Sequence, residues 1–298
     1  MKIKISFSIM FASLVFAQNS FPGLDTWTDG STVGHSGGGY LMSFQNSFRN
    51  PAMLVNADRS LNLTIIKYPA EINAQSAIIN GKLNGHNIGL AIRNINYGTF
   101  ESRSSDNIMI GTFSASDTQI DISYARFAYK KKIIIGLNSG LFLSQLDNTN
   151  ASLIKISPTA MLKARHFSAS LTLDNYNKVL DSYTNHNPRS KPSAIFSIHK
   201  LFYKYPLEIE ISTFSNRSIS KRVANISFLF RNSDNLFFRG GISTNRSHRL
   251  SGNEFVKNVF NDIGFGFGYE LESLSVALNT FSYSNSHLLY AFSISSKF

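Results

Sequence analysis

Along most of the chain after residue 60, apolar and polar residues alternate with a period of two, the pattern of β-strands with two chemically different faces. In the last segment Tyr290, Phe292, Ile294, Ser296 and Phe298 share one face, while Ala291, Ser293, Ser295 and Lys297 share the other. Phe265, Phe267 and Tyr269 oppose Gly264, Gly266, Gly268 and Glu270, and Phe167, Leu171 and Leu173 oppose Ser168, Thr172 and Asp174, in the same way. The pattern predicts strands near 61–68, 72–83, 87–98, 116–129, 132–143, 152–164 and 167–179, and again near 193–201, 207–214, 222–231, 236–244, 260–271, 274–283 and 287–298. That is about fourteen, an even number, as in closed bacterial barrels.

Periodicity alone does not say whether the apolar face meets a core or lipid; the connections between strands decide. Those after even-numbered strands are compact, as at Asn84 to His86, Lys130-Lys131 and Glu272-Ser273. Several after odd-numbered strands are long: Thr99 to Ala115, Leu180 to Pro192 and Asn245 to Val259. Sorting short turns to one rim and long loops to the other is the construction of outer-membrane barrels, and many segments reach the roughly 9–11 residues that a tilted membrane strand needs. The expected fold is therefore all-β: a transmembrane antiparallel β-barrel of about fourteen strands. A secreted β-sandwich is the competing architecture.

The N-terminus supports export. Met1-Lys2-Ile3-Lys4, an apolar run from Ile5 to Phe16, and Val15-Phe16-Ala17 before Gln18 form a signal peptide over residues 1–17, too short to span a bilayer as a helix. Residues 18–60, with Gly37-Gly38-Gly39, are expected to form a loop or plug segment ahead of a barrel over residues 61–298. The expected location is the outer membrane of a bacterium.

Charge and composition narrow the chemistry. The formal net charge of +11 is scattered, its longest basic run being Lys130-Lys131-Lys132, which argues against nucleic acid. Zero cysteines exclude disulfides, thiol nucleophiles and cysteine zinc sites. None of the seven histidines forms a close pair of the kind a metal site uses, and neither a nucleophile elbow nor a phosphate loop is present. No enzyme activity, cofactor or metal is expected. The carboxylates Asp121, Asp174, Glu208, Glu210 and Glu270 fall on the polar face, where ion pairing outweighs catalysis, with Lys155 and Lys163 available to Asp174. Asp121, Lys155, Lys163, Asp174 and Arg239 fall on the polar side, whereas Arg126 falls on the apolar face, four positions from the turn at Lys130. The glycines at 264, 266 and 268 either make room for a luminal object or let the barrel bend; bending is the favoured expectation.

Two sets of residues resemble known families. Asn50-Pro51-Ala52, followed by Met53-Leu54, resembles the segment leading into the barrel in the FadL-like superfamily. Ile95-Asn96-Tyr97-Gly98-Thr99-Phe100-Glu101, with Gly111-Thr112-Phe113-Ser114-Ala115-Ser116-Asp117, resembles the PorQ-like barrels of the type IX secretion system, relatives of PorV within that superfamily. The terminal Phe298 resembles the assembly signal of outer-membrane barrels. The resemblance implies contacts with outer-membrane lipid, the barrel-assembly machinery and proteins of secretion and surface attachment, through the three long loops. A FadL-like transporter of hydrophobic small molecules is the alternative; it predicts an aromatic, apolar lumen in place of a charged and serine-rich one.

Overall fold

The computed structural model describes residues 21–42, 47–183, 190–202, 204–216, 221–232, 235–244, 262–282 and 287–298. The signal peptide expected over residues 1–17, the connection expected at Asn245 to Val259, and residues 184–189 of the connection at Leu180 to Pro192 lie outside them.

The strands are β1 (Ser60–Lys67), β2 (Asn73–Leu83), β3 (His86–Arg103), β4 (Met109–Tyr129), β5 (Ile133–Leu146), β6 (Thr149–Lys163), β7 (Phe167–Asp174) and β8 (Tyr176–Asp181). The second half adds β9 (Ser193–Phe202), β10 (Leu207–Asn216), β11 (Lys221–Arg231), β12 (Leu236–Ser243), β13 (Ile263–Glu270), β14 (Leu274–Ser282) and β15 (Leu288–Lys297). Neighbouring strands pair antiparallel, and β1 is bonded both to β2 and to β15. The sheet therefore closes on itself, leaving no free edge in the wall.

The closed barrel has fourteen strand positions, because β7 and β8 share one. Both pair with β6, β7 at residues 159–163 and β8 at residues 152–156. Between them Asn175 adopts a left-handed conformation (φ 57°) and its N–H donates to Ser157 Oγ at 3.0 Å. It is the extra residue of a β-bulge, a position whose backbone asparagine tolerates. The strand expected over 167–179 is thus present but broken.

A second departure is larger. The connection expected from Thr99 to Ala115 is mostly strand, since β3 runs to Arg103 and β4 begins at Met109. β2 stops pairing with β3 at Asn96, and β5 stops pairing with β4 at Ala115. Residues 98–114 therefore leave the wall as a two-stranded arm.

The faces match the alternation, inside out relative to a soluble domain. In β15, Leu289, Ala291, Ser293 and Ser295 are buried, whereas Tyr290 and Phe292 are 56% and 40% exposed. Phe265, Phe267 and Tyr269 likewise point outward from β13. Such a continuous apolar belt far exceeds the patch a soluble monomer exposes and is stable only against lipid. Arg126 is outward, three residues before the end of β4.

Inside lies the N-terminal segment, residues 21–42 and 47–57, nearly all of it buried. Its ordered turns are a 3-10 turn at Pro22–Leu24, the short helix α1 (Gly30–Gly34) and a 3-10 turn at Pro51–Asn56. Asp29 caps α1, its carboxylate accepting from Thr32 N–H at 3.1 Å and Ser31 Oγ at 2.5 Å.

Candidate functional site

The plug is mostly irregular, so its backbone groups need partners that a helix or sheet would otherwise provide. The polar luminal wall provides them. Ser76 Oγ donates to Thr28 O (2.6 Å), Gln119 Nε2 to Gly23 O (3.0 Å), Asn138 Nδ2 to Phe48 O (2.6 Å) and Asn225 Nδ2 to Ser36 O (2.8 Å). Glu210, fully buried, accepts the N–H groups of Tyr40 and Leu41. Arg49 ties the plug to itself, donating to Thr32 Oγ1 and to the carbonyls of Gly37 and Gly38 while stacking on the Tyr40 ring at 4.0 Å. Its position next to Tyr40 is a cation–π contact.

Glycines in the wall let it approach the plug. A Cβ on Gly264 would lie 2.6 Å from Gly34 O and Ser36 N, and one on Gly136 would lie 2.8 Å from the Pro51 carbonyl carbon. The expectation that the 264–268 glycines serve barrel bending is corrected at Gly264, which makes room for the plug. Gly266 and Gly268 instead leave space for the side chains of Asn279, Arg239 and Phe237.

Asn50, Pro51 and Ala52 sit at the heart of this arrangement. Asn50 precedes the Pro51–Asn56 turn and donates to Tyr40 O at 3.1 Å, linking two limbs of the plug. Proline suits the first helical position because its missing N–H is not needed there. Ala52 packs with Leu41, Leu54, Ala125, Ile134 and Met161 in an apolar cluster between plug and wall.

The luminal carboxylates mostly hold cations. Asp121 receives Arg93 Nη2 at 2.5 Å and Lys155 Nζ at 3.0 Å, all three side chains being almost wholly buried. Glu208 pairs with Arg231 and with His199, and Glu270 with Lys297. Lys155 is thus committed to Asp121, and Lys163 donates to Asn56, a different use from the one expected for Asp174. Glu210, expected in an ion pair, binds backbone amides instead. His35 is buried in the plug.

Above the plug a cavity of about 360 Å³ opens among the strand ends next to the odd-numbered connections, at Tyr68, Asp174, Ser193, Ser215 and Asp262. Its lining mixes charge (Arg49, Arg93, Lys155) with aromatic surface (Trp27, Tyr40, Phe48, Phe214, Phe281).

The second feature is the arm, which brings together the segments 95–101 and 111–117. Ile95 faces Asp117, Asn96 faces Ser116, and Phe100 faces Phe113, their rings stacked at 5.3 Å. Asn96 Oδ1 accepts Gly98 N–H at 2.8 Å, and Gly98, with φ +88°, occupies the irregularity where the arm departs. Tyr97 OH donates to Asp117 Oδ2 at 2.6 Å; the same carboxylate accepts from Ser144 Oγ, which accepts from Tyr183 OH at 2.5 Å. This buried-rim network anchors the arm's base. Ser114 O accepts Asp147 N–H at 2.9 Å, and Ala115 pairs with Leu146 at the last level of the wall. Beyond it Ile108, Met109 and Ile110 are each more than half exposed, and a Cβ on Gly111 would meet nothing. Phe298 lies one residue past β15, its N–H donating to Arg59 O at 3.1 Å and its ring exposed.

No family model and no curated protein matches the chain. Solved barrels do. A KdgM porin is 9% identical, covering 80% of this chain and 99% of its own, with a TM-score of 0.39. The P. putida toluene transporter TodX is 10% identical over 84% of this chain and 92% of its own, with a TM-score of 0.47. A mutant of the Rh. blastica porin is 9% identical over 81% and 99%, with a TM-score of 0.39.

Proposed function

We propose that this chain is a plugged outer-membrane scaffold that docks protein partners on its projecting arm, in the manner of the PorQ-like barrels of type IX secretion. The observation that carries this reading is the plug. Residues 21–42 and 47–57 occupy the lumen and are fastened to Ser, Asn, Gln and Glu side chains of the wall, an arrangement suited to holding a shape and not to passing solutes. The arm offers exposed Ile108, Met109 and Ile110 on a rigid two-stranded base, and binding surfaces are characteristically carried on projections from a rigid scaffold. On the same reading, outer-membrane lipid surrounds the apolar belt and Phe298 is the handle taken by the barrel-assembly machinery.

The test is to replace residues 99–110 with a two-residue turn. The shortened protein should still show heat-modifiable migration on gels, the mark of a folded barrel, and should lose surface attachment of secreted cargo. Undiminished cargo display by a correctly folded variant would sink the proposal.

The cavity supports a second reading, a FadL-like carrier of hydrophobic small molecules. Six aromatic rings, with Tyr68 among them, and about 360 Å³ suit a small ligand. Saturable binding of a fluorescent aromatic probe, abolished by Phe214→Arg, favours the carrier; absence of binding favours the scaffold.

A further inference from the structure

Arg239, on β12, is a luminal cation that the plug, the cavity above it and the arm leave unexplained. Its side chain is more than nine-tenths buried, its Nε has no hydrogen-bond partner, and among the described residues its guanidinium forms no ion pair; it lies over the Phe237 ring at 4.7 Å. The fields of Asp29 and Glu270 reach it, but neither carboxylate is in contact, and Glu270 is bonded to Lys297. Burying an uncompensated guanidinium is strongly unfavourable, and its planar fork suits oxyanions.

The surroundings fit such a ligand. Arg239 lines a cavity of about 60 Å³ at the short-turn end of the barrel, between plug and wall. Ser60, Ser275, Ser295 and Lys297 line it too, and Ser60 Oγ is itself buried with no partner. These side chains come from adjacent strands: Ser275 faces Ser295, and Ser60 faces Lys297. The plug contributes His35 and Met42, and Gly34 lets the Arg239 stem pass, since a Cβ there would lie 2.7 Å from Arg239 Cδ. The lining carries Arg231, Arg239 and Lys297 against Glu270 alone, and the volume admits one small oxyanion and excludes a sugar or an acyl chain.

We propose that this cavity binds a small tetrahedral oxyanion of the phosphate class between Arg239 and the serine hydroxyls, bridging the plug to the barrel wall. The site is independent of what docks on the arm.

The experiment uses the full-length barrel folded in detergent, with inorganic phosphate titrated against chloride at constant ionic strength and binding read by calorimetry and by ³¹P line broadening. Saturable binding is expected for the wild type, weakened at least tenfold in Arg239→Gln and several-fold in Ser60→Ala, with acetate binding more weakly than phosphate. No saturable binding to the folded wild type would overturn the site, whatever the variants do. Equal binding by wild type and a folded Arg239→Gln would overturn it as well, and so would acetate binding more tightly than phosphate. If Arg239→Gln does not fold, the wild-type titration and Ser60→Ala decide alone.

Discussion

Glu210 on β10 reaches across the lumen and accepts the backbone N–H of Leu41 at 2.7 Å, joining residues 169 apart in sequence. The same carboxylate accepts Tyr40 N–H at 2.9 Å, so one wall side chain satisfies two consecutive amides of the plug. Glu210→Ala removes both acceptors at a buried position, and each orphaned amide costs about 1–3 kcal/mol. The variant should keep a heat-modifiable barrel while proteolysis within residues 21–57 becomes several-fold faster. Unchanged proteolysis would mean that Glu210 does not hold the plug.

The Arg93–Asp121–Lys155 cluster should be among the most sensitive points of the wall. Asp121→Ala leaves two buried cations without their carboxylate, and breaking a buried pair by removing one partner costs about 3–5 kcal/mol. Denaturant unfolding in detergent is the measurement. Loss of less than about 1 kcal/mol would show that the two cations find other partners.

Two glycines make a paired test. At Gly264 an added side chain meets plug backbone, whereas at Gly111 it meets nothing. Gly264→Val should expel or distort the plug and raise its protease sensitivity; Gly111→Val should change stability by no more than about 0.5 kcal/mol, the range of ordinary surface substitutions. The idea of a plug pressed on the glycine strand fails if both variants behave alike.

Acid should loosen the plug through His35. Burial, reinforced by the positive charges of Arg239 and Arg49, holds its imidazole well below the usual histidine range. The ring is neutral when the plug is seated, while in the unfolded chain it takes a proton near pH 6.5. Its contribution is therefore complete above about pH 6.5 and declines as pH falls from there toward the folded value, by at most about 1.4 kcal/mol per pH unit. Wild type should lose more plug protection between pH 7.5 and 5 than His35→Leu does; equal losses would assign the effect to other groups.

How much of this was readable in the chain follows from which interactions are local. Strand alternation is a property of successive residues, so Tyr290 to Lys297 and Phe265 to Glu270 declared their faces outright. The arm did not, because Glu101-Ser102-Arg103-Ser104-Ser105-Asp106 reads as a polar loop, and what extends it is cross-strand: the Phe100–Phe113 stack and the Tyr97–Asp117 bond. The bulge at Asn175 depends on Ser157, eighteen residues away. Gly264 owes its role to Gly34 and Ser36, and no local pattern connects residues so far apart. Asn50-Pro51-Ala52 was marked by its motif, but its bond to Tyr40 and its packing on Ile134 are tertiary facts.

The seam between β1 and β15 ties the closing of the wall to the filling of the interior. The segment that fills the lumen runs directly into β1, and β15 closes the cylinder on β1. Closure sets Ser293 opposite Thr64, their hydroxyls 2.8 Å apart, and sets Ser293 against Gly30, where a Cβ would collide with its Oγ. The final staple of the wall is thus also part of the cradle around α1. A seam zipped with the N-terminal limb still outside would leave the cradle around α1 empty and the wall groups that bind the plug, Ser76, Gln119, Asn138 and Glu210, without those partners.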